Sequence, residues 1–208
     1  MAKAYESERE ETARLVALSD GVIAIAITLL VLDLTVPTIT GTATDRALAE
    51  LVFEQWHELF GYVLSFLVIG LYWVLHRRVF IYVTGHDRRV LWLNLGFLLL
   101  VAFLPYATSL FSTYPTTRFG VVFYSVVQAM TGLSLALLWV HAARRHLIAE
   151  GLTSPTVLLQ AARFLATPTV FLFAALLAFV NPTFGILSWL LVVPVNGFFE
   201  LRLGRATA

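Results

Sequence analysis

Six stretches of about twenty or more mostly apolar residues constrain the fold of this chain more than any other feature. They run at about 13–36, 56–82, 90–111, 118–141, 157–180 and 184–201, with polar or basic residues between them. A helix rises about 1.5 Å per residue, so about 20 residues cross a hydrocarbon core of roughly 30 Å. Because lipid offers no hydrogen-bond partners to the backbone, each stretch is predicted to be a transmembrane helix.

The composition supports the same fold class. Hydrophobic residues make up 59% of the chain and charged residues 13%, against roughly 25% charged residues in an ordinary soluble domain. We predict an all-α integral membrane protein, embedded in the lipid bilayer as one six-helix domain over residues 1–208, with a polar loop at 38–54. The absence of cysteine excludes disulfides and thiolate metal sites. No nucleotide-binding motif is present, and we expect no cofactor, no bound metal beyond permeating cations and no nucleic-acid partner.

The positive charges predict the orientation in the membrane. With the N-terminus on the cytoplasmic side, only Arg46 and Arg118, of the 14 lysines and arginines, fall at outer ends of spans or in outer loops. Cytoplasmic loops of membrane proteins are enriched in Lys and Arg. We therefore predict a multi-pass protein of the cell membrane with both termini in the cytoplasm.

The first span carries polar residues on one side and an apolar stripe on another. Ionisable residues within a span are functional candidates by default, and here they include Arg14 and Asp20, with Ser19 between them. At 100° per residue, one narrow helix face is shared by Ile25, Thr28, Leu29 and Leu32. Asp20 points about 140° away from Ile25. The sequence thus predicts one helix with two roles on two faces.

Polar residues of three spans are predicted to lie at one depth. Asp20 in the first span, His76 with Trp73 in the second and Asn94 in the third all fall roughly 5–12 Å from the cytoplasmic face. Unpaired polar groups in hydrocarbon are costly, so these side chains are predicted to form a polar cluster. The cluster is interpreted as a structural cross-link between helices, and a role in transport is not exclusive of it.

These residues resemble a known family. The stretch from Arg14 to Asp20 and the Gly-Val-Ile-Ala-Ile-Ala-Ile-Thr-Leu-Leu-Val-Leu-Asp that follows resemble the first helix of the transmembrane protein 175 family of potassium channels, prokaryotic branch. The signature of that family is Arg-x-x-x-Phe-Ser-Asp, and Leu18 stands here in place of Phe. Trp73, His76 and Asn94 resemble positions that hold the signature in place. The resemblance implies a structural polar network made of Arg14, Ser19, Asp20, Trp73, His76 and Asn94.

The resemblance also implies an activity and an assembly. It implies a homotetramer in which the first helix of each copy lines a central pore conducting potassium ions. The expected pore constriction and selectivity residues are Ile25, Thr28, Leu29 and Leu32, and apolar side chains form the narrow part. A carbonyl filter of the Thr-Val-Gly-Tyr-Gly type is absent. The expected function is a passive, modestly selective potassium channel.

Other classes remain as alternatives. The second interpretation is a secondary transporter, with proton coupling through Asp20 and His76 as one form of it, and broken spans or an internal repeat would favour it. A membrane scaffold without transport is the third. Ser19, Asp20 and His76 lack the glycine pattern of a hydrolase nucleophile elbow, so we do not expect an enzyme.

Overall fold

The fold is all-helical and agrees with the predicted class. The structure, a computed structural model, describes residues 2–39, 44–85, 87–149 and 152–206, with the backbone alone for 2–9 and 204–206. Within these ranges, six segments are long and apolar enough to cross a membrane. The prediction of an integral membrane protein with six spans is confirmed.

The spans are built from seven of the eight α-helices in the described ranges. They are α1 (Ala2–Leu29), α2 (Asp45–Glu54), α3 (Trp56–Tyr82), α4 (Arg88–Thr113), α5 (Arg118–Arg144), α6 (Ser154–Val180), α7 (Pro182–Trp189) and α8 (Val192–Ala206). A 3₁₀ turn, Leu30–Asp33, continues α1. Side chains cap several starts: Asp87 accepts from the Val90 N–H at 2.8 Å and Thr117 from the Gly120 N–H at 3.1 Å. Such caps satisfy amides that have no partner inside the helix.

The prediction of a polar loop at 38–54 is wrong for its second half, because Asp45–Glu54 form α2. The hydroxyl of Thr44 accepts a hydrogen bond from the Ala47 N–H at 3.3 Å, and Arg46 pairs with Glu50 at 2.9 Å one turn later. A cap and an (i, i+4) ion pair stabilise even a short helix. Residues 40–43 of the expected loop lie outside the described residues.

The sixth span was expected as one helix and is divided in two. It consists of α7 and α8, separated by Leu190 and Leu191, and together they run over Pro182–Leu203. Pro194 has no N–H to donate to the Leu190 carbonyl, which instead accepts from the Val193 N–H at 3.4 Å. The chain therefore forms a tighter turn at Leu190 and Leu191, and α8 begins at Val192.

The packing of the helices places α4 and α5 between α1 and α6. Helix α1 packs on α3 and α4, α4 packs on α5, and α6 packs on α5, α7 and α8. Large buried side chains fill the centre, among them Tyr72, Tyr124, Trp139 and Trp189. The Tyr72 hydroxyl donates to the Gln128 carbonyl at 2.6 Å, which ties α3 to α5. Interhelical hydrogen bonds of this kind supplement van der Waals packing in membranes.

Two connections pair on the side of the bundle where α1 begins, which we call the N-terminal side. Val83, after α3, pairs antiparallel with Ile148, after α5. On the same side, His141 Nε2 in the last turn of α5 lies 2.9 Å from Asp87 Oδ2 in the connection before α4. Burial tends to raise the pKa of Asp87, but the hydrogen bonds from the Val90 N–H and from His141 outweigh it and hold that pKa below its usual value.

Candidate functional site

Helix α1 presents one buried face and one uncovered face in the protomer. The buried face repeats every three or four residues and consists of Leu15, Ser19, Ile23, Ala26 and Leu30. All four residues of the predicted pore face lie on the other side. Ile25 is 60% exposed and Leu32 72% exposed, and Thr28 and Leu29 are exposed as well. A stripe of exposed apolar side chains along a spanning helix needs lipid or another chain to cover it.

Thr28 is the polar member of this face, and its hydroxyl has a defined direction. Its Oγ1 donates to the Ile25 carbonyl at 2.9 Å. A hydroxyl carries one donor and two acceptor lone pairs. Because the proton is used within the helix, both lone pairs of Thr28 remain available as acceptors on the uncovered side.

On the opposite face, Ser19 begins a chain of hydrogen bonds that reaches two other helices. The Asn94 amide Nδ2 donates to Ser19 Oγ at 3.0 Å, and Ser19 Oγ donates to the Leu15 carbonyl at 2.9 Å. Asn94 Oδ1 lies 2.9 Å from His76 Nε2. Asn94 offers its oxygen to His76, so His76 donates through Nε2. A second proton on the buried Nδ1 would be a cation without a hydrogen-bond partner among the described residues, so we assign the ring as neutral.

We call Ser19, Asn94 and His76 the neutral triad. All three are fully buried, and the imidazole stacks on Phe97 with ring centroids 5.4 Å apart. His76 Nδ1 has no hydrogen-bond partner. Because no member carries a charge, the triad joins α1, α3 and α4 without the desolvation penalty of burying an ion.

Asp20 lies outside the neutral triad and has a separate partner. Its Oδ1 accepts from the Trp73 indole N–H at 2.8 Å, and Asp20 is exposed in the protomer. The predicted single cluster is therefore two neighbouring sets, since Asp20 bonds neither His76 nor Asn94. Arg14 is also exposed and, within the part of the chain that the structure describes, makes no hydrogen bond or ion pair. The described part of the protomer therefore shows no structural partner for Arg14.

A second cluster, built around the buried Arg163, was missed by the sequence reasoning. Glu200 on α8 accepts from Arg78 Nη2 of α3 at 2.7 Å and pairs through its other oxygen with Arg163 of α6. Arg163 is 3% exposed, and its Nε and Nη1 have no hydrogen-bond partner among the described residues. We call Arg78, Arg163 and Glu200 the charged triad. The available signal was Glu200 itself, an acid in the last apolar span, where intramembrane charges are normally paired.

The comparisons with known proteins agree with this architecture. Residues 14–105 match the model of a family described as endosomal/lysosomal potassium channel TMEM175. A potassium channel of Streptomyces collinus is 35% identical over 92% of this chain and 94% of its own length. A potassium channel of Chamaesiphon minutus is 36% identical over 65% of this chain and 68% of its own length.

Solved structures give the same picture. The crystal structure of a lysosomal potassium-selective channel TMEM175 homologue from Chamaesiphon minutus superposes with a TM-score of 0.76 at 29% identity, covering 93% of this chain and 98% of that one. The potassium channel MtTMEM175, at 19% identity and a TM-score of 0.57, shares the fold. Similarity over nearly the whole length, together with the matched first three spans, shows that this chain belongs to the TMEM175 family, whose named members are ion channels and not enzymes.

Proposed function

We propose that this chain forms a passive, modestly selective potassium channel, assembled as a homotetramer around the uncovered face of α1. The observation that carries the proposal is the division of α1 into two faces. Its buried face is fixed to α3 and α4 by the neutral triad, while the exposed face carries Ile25, Thr28, Leu29 and Leu32. Family membership supports the activity, because the relatives are named potassium channels.

Several copies are needed because one α1 encloses no space. Closed cyclic symmetry brings the same face of each copy to a common axis, and it is the usual solution for homo-oligomers. The uncovered face would then be covered by its own copies around the axis. Arg14 and Asp20 lie one to three turns from this stripe on the same helix and are exposed, so both are placed to meet a neighbouring copy.

The proposed constriction is a stack of apolar rings. Four copies of Ile25, Leu29 and Leu32 at successive turns would set the narrowest radius. A bare cation in an alkyl ring loses hydration worth tens of kcal/mol by Born estimates. The ring therefore gates by dewetting or passes the ion with much of its water, and selectivity is modest.

Thr28 is the proposed source of that selectivity. Its hydroxyl donates to the Ile25 carbonyl, so the oxygen lone pairs face the uncovered side. Four such oxygens between apolar rings are the side-chain groups of this face able to replace water around an ion.

The N-terminal side is proposed to face the cytoplasm, with the chain in the cell membrane. Lys and Arg concentrate at that side of the spans, whereas Arg46 and Arg118 lie at the other. This bias is the observation that supports the orientation.

A secondary transporter is the second candidate, and the break between α7 and α8 is the observation that favours it. Broken spans in transporters expose carbonyls that bind ions. Here the carbonyls around the break accept hydrogen bonds: Leu187 from Leu190, Ser188 from Leu191, and Leu190 from Val193. These oxygens already accept hydrogen bonds from the turn itself and are not left unpaired by the break, so the channel remains the better-supported proposal.

The test is planar-bilayer recording of purified protein under asymmetric potassium and sodium. Ile25→Asn is expected to hydrate the constriction and raise conductance, and Thr28→Ala to lower the potassium preference read from the reversal potential. Thr169→Ala is the matched control, because Thr169 is an exposed spanning threonine that bonds its own helix at Leu165. If Ile25→Asn and Thr28→Ala conduct as the parent does, α1 does not line the pore.

A further inference from the structure

A groove opens between α5 and α6 on the N-terminal side, remote from α1. Its volume is about 380 Å³. Its walls are apolar and include Val140, Val157, Leu158 and Ala161, all within the two spans. Helix α6 packs on α5, α7 and α8, and α1 packs on α3 and α4, so the groove belongs to the half of the protomer that does not form the proposed pore.

The mouth of the groove is basic. Arg144, the last residue of α5, and His146 both line it and both are exposed. Of the described residues that line the groove, none is acidic, and neither Arg144 nor His146 forms a side-chain hydrogen bond or ion pair with the described chain. Ser154, the first residue of α6, also lines the groove, so the positive end of the α6 dipole lies there, and Arg144 offsets the negative end of α5.

His146 has a backbone conformation that favours glycine. Its φ is 55°, and among the described residues other than glycine it alone has a positive φ. Its N–H donates to the Ala143 carbonyl at 3.3 Å and the Leu147 N–H donates to the Ala142 carbonyl at 3.0 Å, which together form the left-handed helix end that glycine usually provides. Within the described residues the imidazole makes no hydrogen bond or ion pair that would explain a side chain at this position. A strained residue with an unused side chain at a groove suggests a role in binding.

We propose that this groove binds one anionic phospholipid, with the phosphate between Arg144 and His146 and an acyl chain along Val140, Val157 and Leu158. The charges and the apolar walls match the two ends of such a lipid. Basic pockets between spanning helices at the membrane surface recognise phospholipid head groups in this way. In the tetramer the groove faces the surrounding lipid; that placement rests on the proposed function, whereas binding can be measured without any current.

The test uses the full-length protein, purified in detergent and stripped of lipid, titrated with phosphatidylglycerol. Binding is followed by native mass spectrometry and by the rise in melting temperature. Phosphatidylcholine and soluble glycerol 1-phosphate are the two comparison ligands. We expect phosphatidylglycerol to bind and stabilise the protein, phosphatidylcholine to bind more weakly, and glycerol phosphate to have no effect.

Two variants separate recognition from folding. His146→Gly suits a φ of 55° and is expected to keep or raise the lipid-free melting temperature while weakening phosphatidylglycerol binding about fivefold. Arg144→Gln is expected to weaken binding by a similar factor. Arg145→Gln is the matched control, since Arg145 is the adjacent arginine and does not line the groove.

Four outcomes would overturn the proposal. Parental affinity in both His146→Gly and Arg144→Gln would show that the basic mouth does not hold the phosphate. An equal loss in Arg145→Gln would reduce the effect to general surface charge. If phosphatidylcholine binds as tightly as phosphatidylglycerol, the groove binds acyl chains without selecting an anionic head group. If glycerol phosphate binds as tightly as the lipid, the mouth is an anion site and the groove does not bind a lipid.

Discussion

The neutral triad joins α1, α3 and α4 with three uncharged side chains, whereas the charged triad joins α3, α6 and α8 with two arginines and one glutamate. His76 and Arg78 belong to the two different clusters although they are two residues apart on α3. Two residues correspond to a rotation of about 200°, so they leave opposite sides of the helix. Helix α3 therefore holds α1 and α4 on one side and α6 and α8 on the other.

The two clusters differ in what happens when one member is lost. In the neutral triad the loss of a partner leaves an uncharged group without a hydrogen bond. In the charged triad it leaves a guanidinium without a counter-charge in a site where Arg163 is 3% exposed. We therefore expect single substitutions in the charged triad to lower stability more than those in the neutral triad, even though conduction is proposed for α1, which the neutral triad holds.

The largest effect is expected from Glu200→Gln. Removing one partner of a buried ion pair costs about 3–5 kcal/mol, and because Glu200 is half exposed we expect a loss near the lower end, about 3 kcal/mol. The measurement is reversible unfolding in detergent micelles. Glu50→Gln is the control, since Glu50 forms an exposed pair with Arg46 and its loss should change stability little.

A double variant tests whether the lost stability comes from an uncompensated charge on Arg163. Arg163→Met combined with Glu200→Gln removes the buried charge together with its partner and should recover most of the lost stability. If the double variant is no more stable than Glu200→Gln alone, the loss does not come from an uncompensated Arg163.

A smaller effect is expected from Asn94→Leu, which removes the centre of the neutral triad. The His76 Nε2–H and the Ser19 hydroxyl each lose a partner, and we expect a loss of roughly 1–3 kcal/mol in the same unfolding assay. Adding His76→Phe removes one of the groups left unpaired and preserves stacking on Phe97. The double variant should therefore lose less than the sum of the two single losses, and strict additivity would argue against the hydrogen bond.

Asp20→Ala is expected to have a still smaller effect on the protomer. Asp20 is exposed and the change removes one hydrogen bond from Trp73, so the protomer should lose about 0.5–1.5 kcal/mol. We expect the visible effect in the oligomeric state, measured by light scattering after size exclusion. Asp33→Ala, at the other end of the same span, is the control, and a stable tetramer with parental currents in Asp20→Ala would refute a role in assembly.

The smallest effect is expected from Asp87→Asn, at a charged contact outside the spans. The pKa of Asp87 is lower in the folded protein than in the unfolded chain, so its contribution to stability is present above the unfolded pKa and is lost as the pH falls through the folded pKa. Parent and variant should differ at neutral pH and converge only when the pH falls below the folded-state pKa of Asp87, which lies below its ordinary value of about 4. A difference in melting temperature that is constant with pH would contradict the ionic explanation.

The sequence by itself determined the six spans, the two faces of α1 and the family. Each follows from local information: span length from runs of apolar residues, the faces from the helical period, and the family from the signature at Arg14 to Asp20. Ile25 and Thr28 were assigned to one face by spacing alone, and the structure leaves that face uncovered.

Only the tertiary structure decided which polar groups meet. Spacing places Asp20, His76 and Asn94 at one depth, but the rotation of each helix about its own axis is set by packing, and a hydrogen bond tolerates only a few tenths of an ångström. Packing therefore brings Asn94 within hydrogen-bond distance of His76 and Ser19, and Trp73 within hydrogen-bond distance of Asp20. It likewise brought Glu200 to Arg163, residues 37 positions apart on helices whose contact no local pattern encodes.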